Sequence, residues 1–449
     1  MNTKLLRKYD IPVPRYTSYP TVPYWESTPS DRVWKEKVFS AFESDEGISL
    51  YIHLPYCEKL CTYCGCNKHI TKNHQVEIPY IQSVLKEWSL YLDVMGRRPV
   101  IKELHLGGGT PTFFSAESLS VLIEGIVSQA IVPEDADFSF EAHPSSTNWE
   151  HLSTLRAYGF KRLSIGVQDF SPIILKIINR QQTAEQVEDV TQQARTLGYS
   201  SINYDLIFGL PLQDQQAIRN TMTRVAQLRP DRIAFYSYAH VPWIKPSQRA
   251  YSEADLPVGD AKRRLYELGR SLLEAEGYIE IGLDHFALAD DELNQAYEAG
   301  DLHRNFMGYT PAHTRLSIGL GASAISDSWD AYVQNEKKIA DYQARVEKGE
   351  LPFFRGHVLT SEDEIIRGHI LRLMCQHETD WIDPTRQTER FLEGIDRMHE
   401  LERDELVEKG PFSLKVTQKG LPFLRNICQA LDARFWERKP ETALFSSAI

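Results

Sequence analysis

Four cysteines within ten residues, in "CEKLCTYCGC" at 57–66, are the part of this 449-residue sequence whose spacing most directly indicates chemistry. Cys57, Cys61 and Cys64 follow a CxxxCxxC pattern, and Cys66 stands two residues further on. Three closely spaced thiolates can bind three irons of a [4Fe-4S] cluster, which leaves the fourth iron open to a substrate. The pattern therefore predicts an iron–sulfur site on one tight loop, with Cys66 as a spare thiol.

Two other interpretations of this loop stay open. A structural zinc site normally uses two separated pairs of ligands, and no second pair follows, although His53 and His69 could complete a tetrahedron. A redox pair in "CTYC" is less favoured, because such a pair has no need of Cys57 and Cys66 beside it. The remaining cysteines, Cys375 and Cys428, lie in apolar helical patterns that predict small buried side chains.

Composition limits the class of protein. The sequence has 50 Lys and Arg against 62 Asp and Glu, and this net charge of -12 disfavours nucleic-acid binding through a basic face. The first residues carry no apolar run of the kind a signal peptide needs, and no stretch approaches the roughly 18 apolar residues of a membrane span. We therefore expect a cytoplasmic monomer that neither enters membranes nor binds nucleic acid.

From residue 48 onward, short apolar runs alternate with longer amphipathic stretches, which is typical of βα units around a parallel sheet. Six strands are predicted, at 48–54, 102–106, 137–142, 162–167, 202–208 and 232–238. Two later segments, 278–288 and 316–327, could extend or cap the sheet. The predicted fold class is α/β, with a partial parallel (β/α)6 barrel.

The pattern changes to helices after about residue 356. Helices are predicted at 361–376 and 388–410, followed by a short strand in "FSLKVT", which together indicate a small, mostly helical α+β module of winged-helix-like shape. The resulting domains are an arm at 1–47 that closes the barrel mouth, a barrel with its extension at 48–355, and a C-terminal domain at 356–449. The acidic character of 391–410 argues against DNA binding by this module.

Unusual residues follow consecutive predicted strands at the end where catalytic groups of parallel barrels gather. The cysteine loop follows the first strand and "GGGTPT" at 107–112 the second, while Glu141, Gln168 and Asp205 lie at or near the ends of the next three. Glycines let backbone approach a ligand closely, although a plain tight turn is the alternative interpretation. The "GGGTPT" segment also differs from the GxGxxG fingerprint of dinucleotide binders.

CxxxCxxC after a first strand, followed one strand later by a glycine triplet, resembles the radical S-adenosylmethionine (SAM) enzyme superfamily. This resemblance implies that the amino and carboxylate groups of SAM occupy the open iron. It also implies that an electron from the cluster breaks a carbon–sulfur bond and yields a 5'-deoxyadenosyl radical.

Longer segments resemble one family of that superfamily, the oxygen-independent coproporphyrinogen III oxidases, or coproporphyrinogen dehydrogenases. They include "PRYTSYPT", "YIHLPYCEKLCTYCGCNK", "RLSIGVQDF", "NYDLIFGLP" and "LHRNFMGYT". The family's reaction removes hydrogen from the β-carbons of the ring A and B propionates of coproporphyrinogen III and releases CO2. It gives the vinyl groups of protoporphyrinogen IX, in haem biosynthesis. A low-potential electron donor and a separate electron acceptor are implied partners.

The resemblance also implies roles for individual residues. Cys57, Cys61 and Cys64 match the cluster ligands, and Cys66 and Tyr51 are placed among the catalytic residues. Two SAM molecules are implied, the first held by Tyr51, Gly108, Glu141 and Ile325, and the second held by Gly109, Thr110, Gln168, Arg180, Asp205 and Ala239. Candidate cations for the substrate carboxylates are Arg15, Arg249, Arg304 and Arg315. Arg304, in "LHRNFMGYT", is the favoured one because its whole segment matches the family, and the others could equally be surface charges. Arg180 could alternatively be a solvated helix end.

One segment departs from the family pattern. In "FEAHPSST", His143 and Ser145 stand where the family usually has an acidic residue before the proline and an arginine after it. A haem chaperone of the same superfamily remains the alternative function, since that branch shares CxxxCxxC and "GGGTP". The chaperone branch usually has phenylalanine at the position of Cys66 and lacks the "LHRNFxGYT" segment, so the oxidase is favoured.

Overall fold

A computed structural model describes residues 3–45, 47–243 and 245–440. Its largest unit is a 12-stranded sheet. Six of its strands run parallel and in chain order: β1 (Ile48–Leu54), β2 (Ile101–Gly108), β3 (Asp137–Ala142), β4 (Phe160–Gln168), β5 (Ser201–Phe208) and β6 (Arg232–Ser237). The six predicted strands are confirmed, each with its ends within two residues of the predicted ones.

The other strands of this sheet flank the parallel core. They are β7 (Tyr278–Gly282), β8 (His285–Leu288), β9 (Ser317–Leu320), β10 (Ile325–Asp327), β11 (Ala331–Asn335) and β12 (Phe353–Val358). The strand order is β12-β11-β10-β9-β1-β2-β3-β4-β5-β6-β8-β7. No hydrogen-bonded pairing joins the two edges, β12 and β7, among the described residues, so the barrel is partial, as predicted.

Helices connect the strands and cover the outside of the sheet. Before the C-terminal region they are α1 (Thr3–Tyr9), α2 (Asp31–Glu43), α3 (Glu77–Met95), α4 (Ala116–Val127), α5 (Trp149–Ala157), α6 (Pro172–Ile177), α7 (Ala184–Thr196), α8 (Gln215–Leu228), α9 (Asp260–Ala275), α10 (Glu292–Ala299) and α11 (Ile339–Glu347). Local sequence fixes their starts: Thr183 and Gln186 form a capping box at α7, and Asp214 caps α8.

The parallel strands have two chemically different faces, because successive side chains of a strand point to opposite sides. Leu104 and Leu106 of β2 are fully buried in the main hydrophobic core, as are Leu163 and Ile165 of β4. The alternating positions carry polar residues instead, such as His105. The interior of the partial barrel is therefore polar, and the apolar core lies between sheet and helices.

The C-terminal region contains α12 (Ser361–Gln376), α13 (Glu389–Arg397), α14 (His399–Arg403), α15 (Leu424–Leu431), α16 (Ala433–Glu437) and a three-stranded sheet of β13 (Glu378–Asp380), β14 (Val407–Lys409) and β15 (Ser413–Val416). The strand predicted in "FSLKVT" is β15, and the sequence did not indicate its two partners. These helices share a hydrophobic cluster with Leu5, Leu6 and Tyr9 of α1. Residues 441–449 of the predicted C-terminal domain lie outside the described residues.

The single helix predicted at 388–410 is wrong. The helical region ends at Arg403, and Glu405 adopts a left-handed backbone conformation with φ of 60°. Leu406 and Val407 are then buried, and Val407 begins β14. The burial of these two apolar side chains in the C-terminal cluster outweighs the helical preference of the surrounding charged residues. No helix within the described ranges has the length and apolar character needed to cross a membrane.

Candidate active site

A cavity of about 400 Å³ opens at the carboxyl ends of β1–β5 and extends along the polar interior of the barrel. It brings together most of the residues that the sequence singles out. Those that line it are Cys57, Cys61, Cys64, Cys66, Gly108, Gly109, Thr110, Glu141, Gln168, Arg180 and Asp205. Four parallel strands and the cysteine loop therefore converge on one space.

The cysteine loop leaves the short strand Tyr56–Cys57, which pairs in parallel with His69–Ile70. Cys57 is buried, Cys61 and Cys64 are half-buried and Cys66 is exposed, and all four are free thiols. The three cysteines of the CxxxCxxC pattern thus face one cavity without a disulfide between them.

The thiols of this loop differ in their affinity for protons. A hydrogen bond from the Cys66 thiol lowers the pKa of Cys64 to about 5, with Lys68 contributing, and the same bond raises the pKa of Cys66. Burial raises the pKa of Cys57 to about 11, although Thr110 Oγ1 lies 3.3 Å from its Sγ and acts in the opposite direction. Binding of a metal at Cys57 would have to displace a proton that burial retains, whereas at Cys64 the hydrogen bond from Cys66 favours the thiolate form that binds metal.

Arg180 is held against this loop. Its Nη1 donates to Cys61 Sγ at 3.5 Å and to Tyr63 Oη at 3.1 Å, and its Nη2 donates to the carbonyl of Gly166. The residue is buried, so the alternative interpretation of a solvated helix end is wrong. Its guanidinium places a positive charge beside the cysteines, where thiolates would be stabilised.

The glycine triplet packs directly on the cysteine loop. A Cβ on Gly109 would lie 2.7 Å from the carbonyl oxygen of Pro55, and Gly108 has φ of +123°, which side chains rarely allow. The N–H groups of Gly109 and Thr110 donate to the carbonyls of Leu54 and Tyr56 at 2.9 and 3.0 Å. This segment is therefore more than a tight turn, since only glycine permits this contact.

Glu141 lies at the centre of the cavity rim. Its Oε2 accepts the Gly108 N–H at 3.3 Å, and its Oε1 lies 3.7 Å from His105 Nε2. The ring of Tyr51 stacks on His105 with centroids 6.0 Å apart, and Tyr51 Oη lies 3.0 Å from His53 Nδ1. Burial raises the pKa of Tyr51 well above its usual value, so the phenol keeps its proton. Tyr51 itself does not line the cavity, but its ring stacks on His105, which does.

Asp205 and Gln168 occupy the opposite wall. Asp205 accepts hydrogen bonds from Ser164 at 3.0 Å and from Asn203 at 2.9 Å, and burial together with the charge of Glu141 raises its pKa to about 6. Gln168 has φ of 65°, which is uncommon for a residue with a side chain. Such backbone conformations cost energy and gather at ligand sites.

Three other predicted residues do not line the cavity. The carbonyl of Ala239 accepts from Gln248 Nε2 at 3.1 Å, and Ile325 begins β10 opposite Gln334. Arg304 is only 5% exposed and lies over the ring of Tyr309, which does line the cavity, at 4.5 Å from the ring centroid. Arg304 therefore contacts a residue of the lining without belonging to it, and Ala239 and Ile325 also lie outside the lining.

His143, where the sequence departs from the family pattern, affects the charge of the cavity lining. His143 lines the cavity, and its Nδ1 accepts the Ser145 N–H at 3.2 Å. Burial lowers the pKa of His143 to about 2, and the charges of Arg180 and Lys59 act in the same direction. This side chain is therefore neutral, and an uncharged pair replaces the family's acidic and basic pair.

Sequence reasoning missed a second set of cavity residues, which are polar side chains on the interior faces of the strands. They are Glu103, His105, Ser139, Arg162, Ser164, Asn203, Arg232, Tyr236 and His285. The signal was present as a two-residue period, for example Ser139 with Glu141 and Asn203 with Asp205. Polar residues that alternate within otherwise buried parallel strands indicate a functional interior.

The cysteine loop fits an iron–sulfur cluster better than zinc. No group of three or more His, Cys, Asp or Glu side chains in the described part of the chain is arranged around a single metal ion. His53 Nε2 lies 2.8 Å from the carbonyl of Asn67, and His69 is exposed, so neither completes a tetrahedron with the thiols. Ligands of a [4Fe-4S] cluster bind separate irons, and three free thiols around one cavity meet that need.

The chain is similar to known proteins over most of its length. Residues 51–225 match the family model of the radical SAM superfamily. The chain is 38% identical to an oxygen-independent coproporphyrinogen III oxidase of Pseudomonas aeruginosa over 95% of both chains. It is 36% identical to the enzyme of that name from Escherichia coli, with 99% of this chain and 98% of the relative covered. A solved structure of coproporphyrinogen III oxidase from Escherichia coli superimposes with a TM-score of 0.90 over 96% of this chain and 98% of that one, at 35% identity.

Proposed function

This chain belongs to the family of oxygen-independent coproporphyrinogen III oxidases within the radical SAM superfamily, and we propose from that membership that it converts coproporphyrinogen III into protoporphyrinogen IX. The conversion is the oxidative decarboxylation of the ring A and ring B propionates to vinyl groups. Superfamily membership implies a [4Fe-4S] cluster and SAM as cofactors. The structural observation that carries the proposal is the single cavity shared by Cys57, Cys61, Cys64 and the acceptor carboxylates Glu141 and Asp205.

Cys57, Cys61 and Cys64 are the proposed cluster ligands. When bound, the cluster and SAM supply a carbon-centred radical that can take a hydrogen atom from an unactivated propionate carbon. The chain supports this chemistry by packing Gly109 against the loop and by placing the Arg180 guanidinium on Cys61. Walls made of strand interiors keep bulk water from the reacting groups.

Two SAM sites are proposed in this cavity. The first would use Tyr51, Gly108, Glu141 and Ile325, and the second would use Gly109, Thr110, Gln168, Arg180, Asp205 and Ala239. Glu141 and Asp205 can accept hydrogen bonds from ribose hydroxyls or an ammonium group, and Arg180 can meet a carboxylate. The shared cavity supports this division for most of these residues, while Tyr51, Ala239 and Ile325 would act from just outside its lining.

Catalytic roles are proposed for Cys66 and Tyr51. Cys66 is the exposed thiol of the loop, and its hydrogen bond to Cys64 keeps it protonated, so it can lie beside the cluster without binding iron. The Tyr51 hydroxyl lies beside His53 Nδ1 and keeps its proton. Tyr51 can therefore hold His105, and through it Glu141, in a fixed orientation.

Each decarboxylation transfers one hydrogen atom to the radical, releases CO2 and leaves one electron for an acceptor. A low-potential one-electron donor and a separate acceptor are therefore proposed partners of a cytoplasmic monomer. Within this account, residues 1–47 form the arm that closes the barrel mouth, 48–355 the catalytic barrel and 356–449 the C-terminal domain. Arg304 is the proposed substrate-binding cation.

The test is an anaerobic reaction with protein reconstituted with iron and sulfide, SAM, a low-potential reductant, coproporphyrinogen III and an electron acceptor. The products are oxidised to porphyrins and separated by chromatography. A dicarboxylate porphyrin together with 5'-deoxyadenosine is the expected result, and the Cys61→Ala variant should give neither. Cleavage of SAM with an unchanged tetracarboxylate would contradict the proposal, and haem binding would then be titrated.

A further inference from the structure

Arg304 is a buried cation whose hydrogen bonds are incomplete. Its side chain lies on the Tyr309 ring, and its Nε and Nη1 atoms are buried without a hydrogen-bond partner among the described residues. The structure gives it no carboxylate within salt-bridge distance in that part of the chain. Buried donors are normally paired, and a buried guanidinium without a partner destabilises the folded protein. A ligand carboxylate would satisfy it.

Two other residues also have buried nitrogen atoms without hydrogen-bond partners. His285 and Arg232 both line the cavity, and His285 Nδ1 and Arg232 Nη2 are buried atoms without a partner in the described residues. Arg232 uses only its Nε for the ion pair with Asp291, at 2.6 Å. The His285 ring is 5.3 Å from the ring of Tyr309, which carries Arg304 on its face. Two lining residues therefore have unpaired buried nitrogens, and the unpaired guanidinium of Arg304 lies on the ring of a third lining residue, Tyr309.

The charges at this wall are unbalanced. Arg15 reaches the same wall from the N-terminal arm and pairs with Asp284 at 3.1 Å. Burial and the charges of Arg304, Arg15 and Arg232 lower the pKa of His285 to about 3. We name the group of Arg15, Arg232, His285 and Arg304 the arginine pocket. Within this group Arg15 pairs with Asp284 and Arg232 pairs with Asp291, whereas Arg304 forms no ion pair among the described residues.

We propose that the arginine pocket binds the propionate carboxylates on rings C and D of the porphyrinogen, the two that are not decarboxylated. This inference rests on the proposed function. Loss of CO2 removes the negative charge of a carboxylate, so cations bound to a reacting propionate would stabilise the substrate more than the transition state. Propionates that react should therefore lie away from arginines, and those that only anchor the ring should lie on them. The pocket then orients rings A and B toward the cysteine loop.

The test compares two porphyrinogens that differ only in the reacting propionates. Coproporphyrinogen III carries propionates on all four rings, whereas mesoporphyrinogen IX has ethyl groups on rings A and B and keeps those on C and D. Binding to the reconstituted holoenzyme with SAM is measured by anaerobic ultrafiltration, and the bound fraction is oxidised and quantified by its fluorescence. Arg304→Gln should lower the affinity for both ligands by about 10- to 100-fold, because charged hydrogen bonds are lost.

The controls separate binding from folding. Arg304→Lys keeps the charge without the planar fork and should fall between wild type and Arg304→Gln. Arg264→Gln, at an exposed position on α9, should bind both ligands as wild type does. Iron content and the cluster absorption should equal those of wild type in all three variants. If Arg304→Gln does not fold, Arg304→Lys and Arg15→Gln provide the measurement. Both variants should then show a smaller loss of affinity for both ligands.

Three results would distinguish the two proposals. Unchanged affinity of folded Arg304 variants for both ligands would overturn the arginine pocket as a carboxylate site. Weakening confined to coproporphyrinogen III would overturn its assignment to rings C and D. A wild-type enzyme that binds both ligands through Arg304 but forms no vinyl product would leave the pocket standing and remove the proposed function.

Discussion

The two ends of the cavity satisfy their polar atoms in different ways. At the cysteine end, Arg180 donates to Cys61, Tyr63 and Gly166, and Gly109 and Thr110 donate to carbonyls of the loop. At the arginine end, Arg304, Arg232 and His285 keep buried atoms without partners in the described residues. The cation at the cysteine end has partners within the protein, although Thr62 Oγ1 of the loop has none in the described residues. The arginine end keeps unpaired nitrogens for a ligand.

This difference assigns different tasks to the two ends. A site for a reactive cofactor benefits from residues that are fixed before the ligand arrives, because misplacement by about 1 Å can cost about 100-fold in rate. A site for a tetracarboxylate benefits from unpaired cations. The ligand then forms charged hydrogen bonds with buried donors that otherwise have no partner. Variants at the cysteine end should therefore keep the affinity for the porphyrinogen, and variants at the arginine end should keep the cluster content.

The largest effect is expected from Cys61→Ala. Removal of one of three proposed cluster ligands should abolish the iron–sulfur absorption in the visible region and all product formation, because the two remaining thiols cannot hold three irons. Cys66→Ala is the matched control in the same loop and should retain its iron. Iron and sulfide analysis after anaerobic reconstitution checks both. Loss of iron in Cys66→Ala, or an intact cluster in Cys61→Ala, would contradict the ligand assignment.

A smaller effect is expected from crowding the contact between the glycine triplet and the loop. A Cβ on Gly109 would lie 2.7 Å from Pro55 O and 2.8 Å from Tyr56 O, so Gly109→Ala should lower the free energy of unfolding by about 1–3 kcal/mol. Gly65→Ala, in the cysteine loop, meets nothing within 4 Å and should unfold as wild type does. Thermal unfolding of the cofactor-free proteins measures both, and equal unfolding temperatures would show that the contact can relax.

A pH-dependent effect is expected midway between the ends. Burial and Glu141 raise the pKa of Asp205 to about 6, so folding favours its protonated form. An acid with a raised pKa makes the folded protein less stable as the pH rises from about 4, its unfolded value, through about 6. Asp205→Asn should remove this penalty and raise the free energy of unfolding at pH 8 by about 2 kcal/mol, with little change at pH 4.

The control for Asp205 is Asp189→Asn, an exposed carboxylate on α7. Its unfolding should follow wild type at both pH values. Chemical unfolding of the cofactor-free proteins provides the measurement. An Asp205→Asn variant that is no more stable at pH 8 than wild type would show that hydrogen bonds from Ser164 and Asn203 already offset the cost of the buried charge.

The same contrast explains what the sequence could predict. The cysteine end lies in one contiguous segment, 57–66, followed by "GGGTPT", and the strands that carry it have clear apolar patterns. The arginine end combines Arg15, Arg232, His285 and Arg304, which are far apart in the chain and meet only through strand pairing and packing of the N-terminal arm. Of these four, Arg15 and Arg304 are candidates from the sequence, with Arg304 favoured by its family segment, whereas nothing in the sequence indicates Arg232 and His285.

The C-terminal region shows a second limit of the sequence. The helix at 361–376 was predicted with its observed bounds, because Thr360 caps it and its apolar residues have helical spacing. The region 388–410 was predicted as one helix, but the burial of Leu406 and Val407 with distant residues produces β14 instead. Local pattern predicts an element where its own residues determine it and fails where contacts distant in sequence decide.

The most direct test of the account is a paired measurement on Cys61→Ala and Arg304→Gln. Cluster content and the affinity for mesoporphyrinogen IX are determined for both variants and for wild type under the same anaerobic conditions. We predict that Cys61→Ala loses the cluster and keeps its affinity for the porphyrinogen, and that Arg304→Gln keeps the cluster and binds the porphyrinogen about 10- to 100-fold more weakly. Loss of both properties in both folded variants would contradict the separation of the cavity into a cofactor end and a carboxylate end.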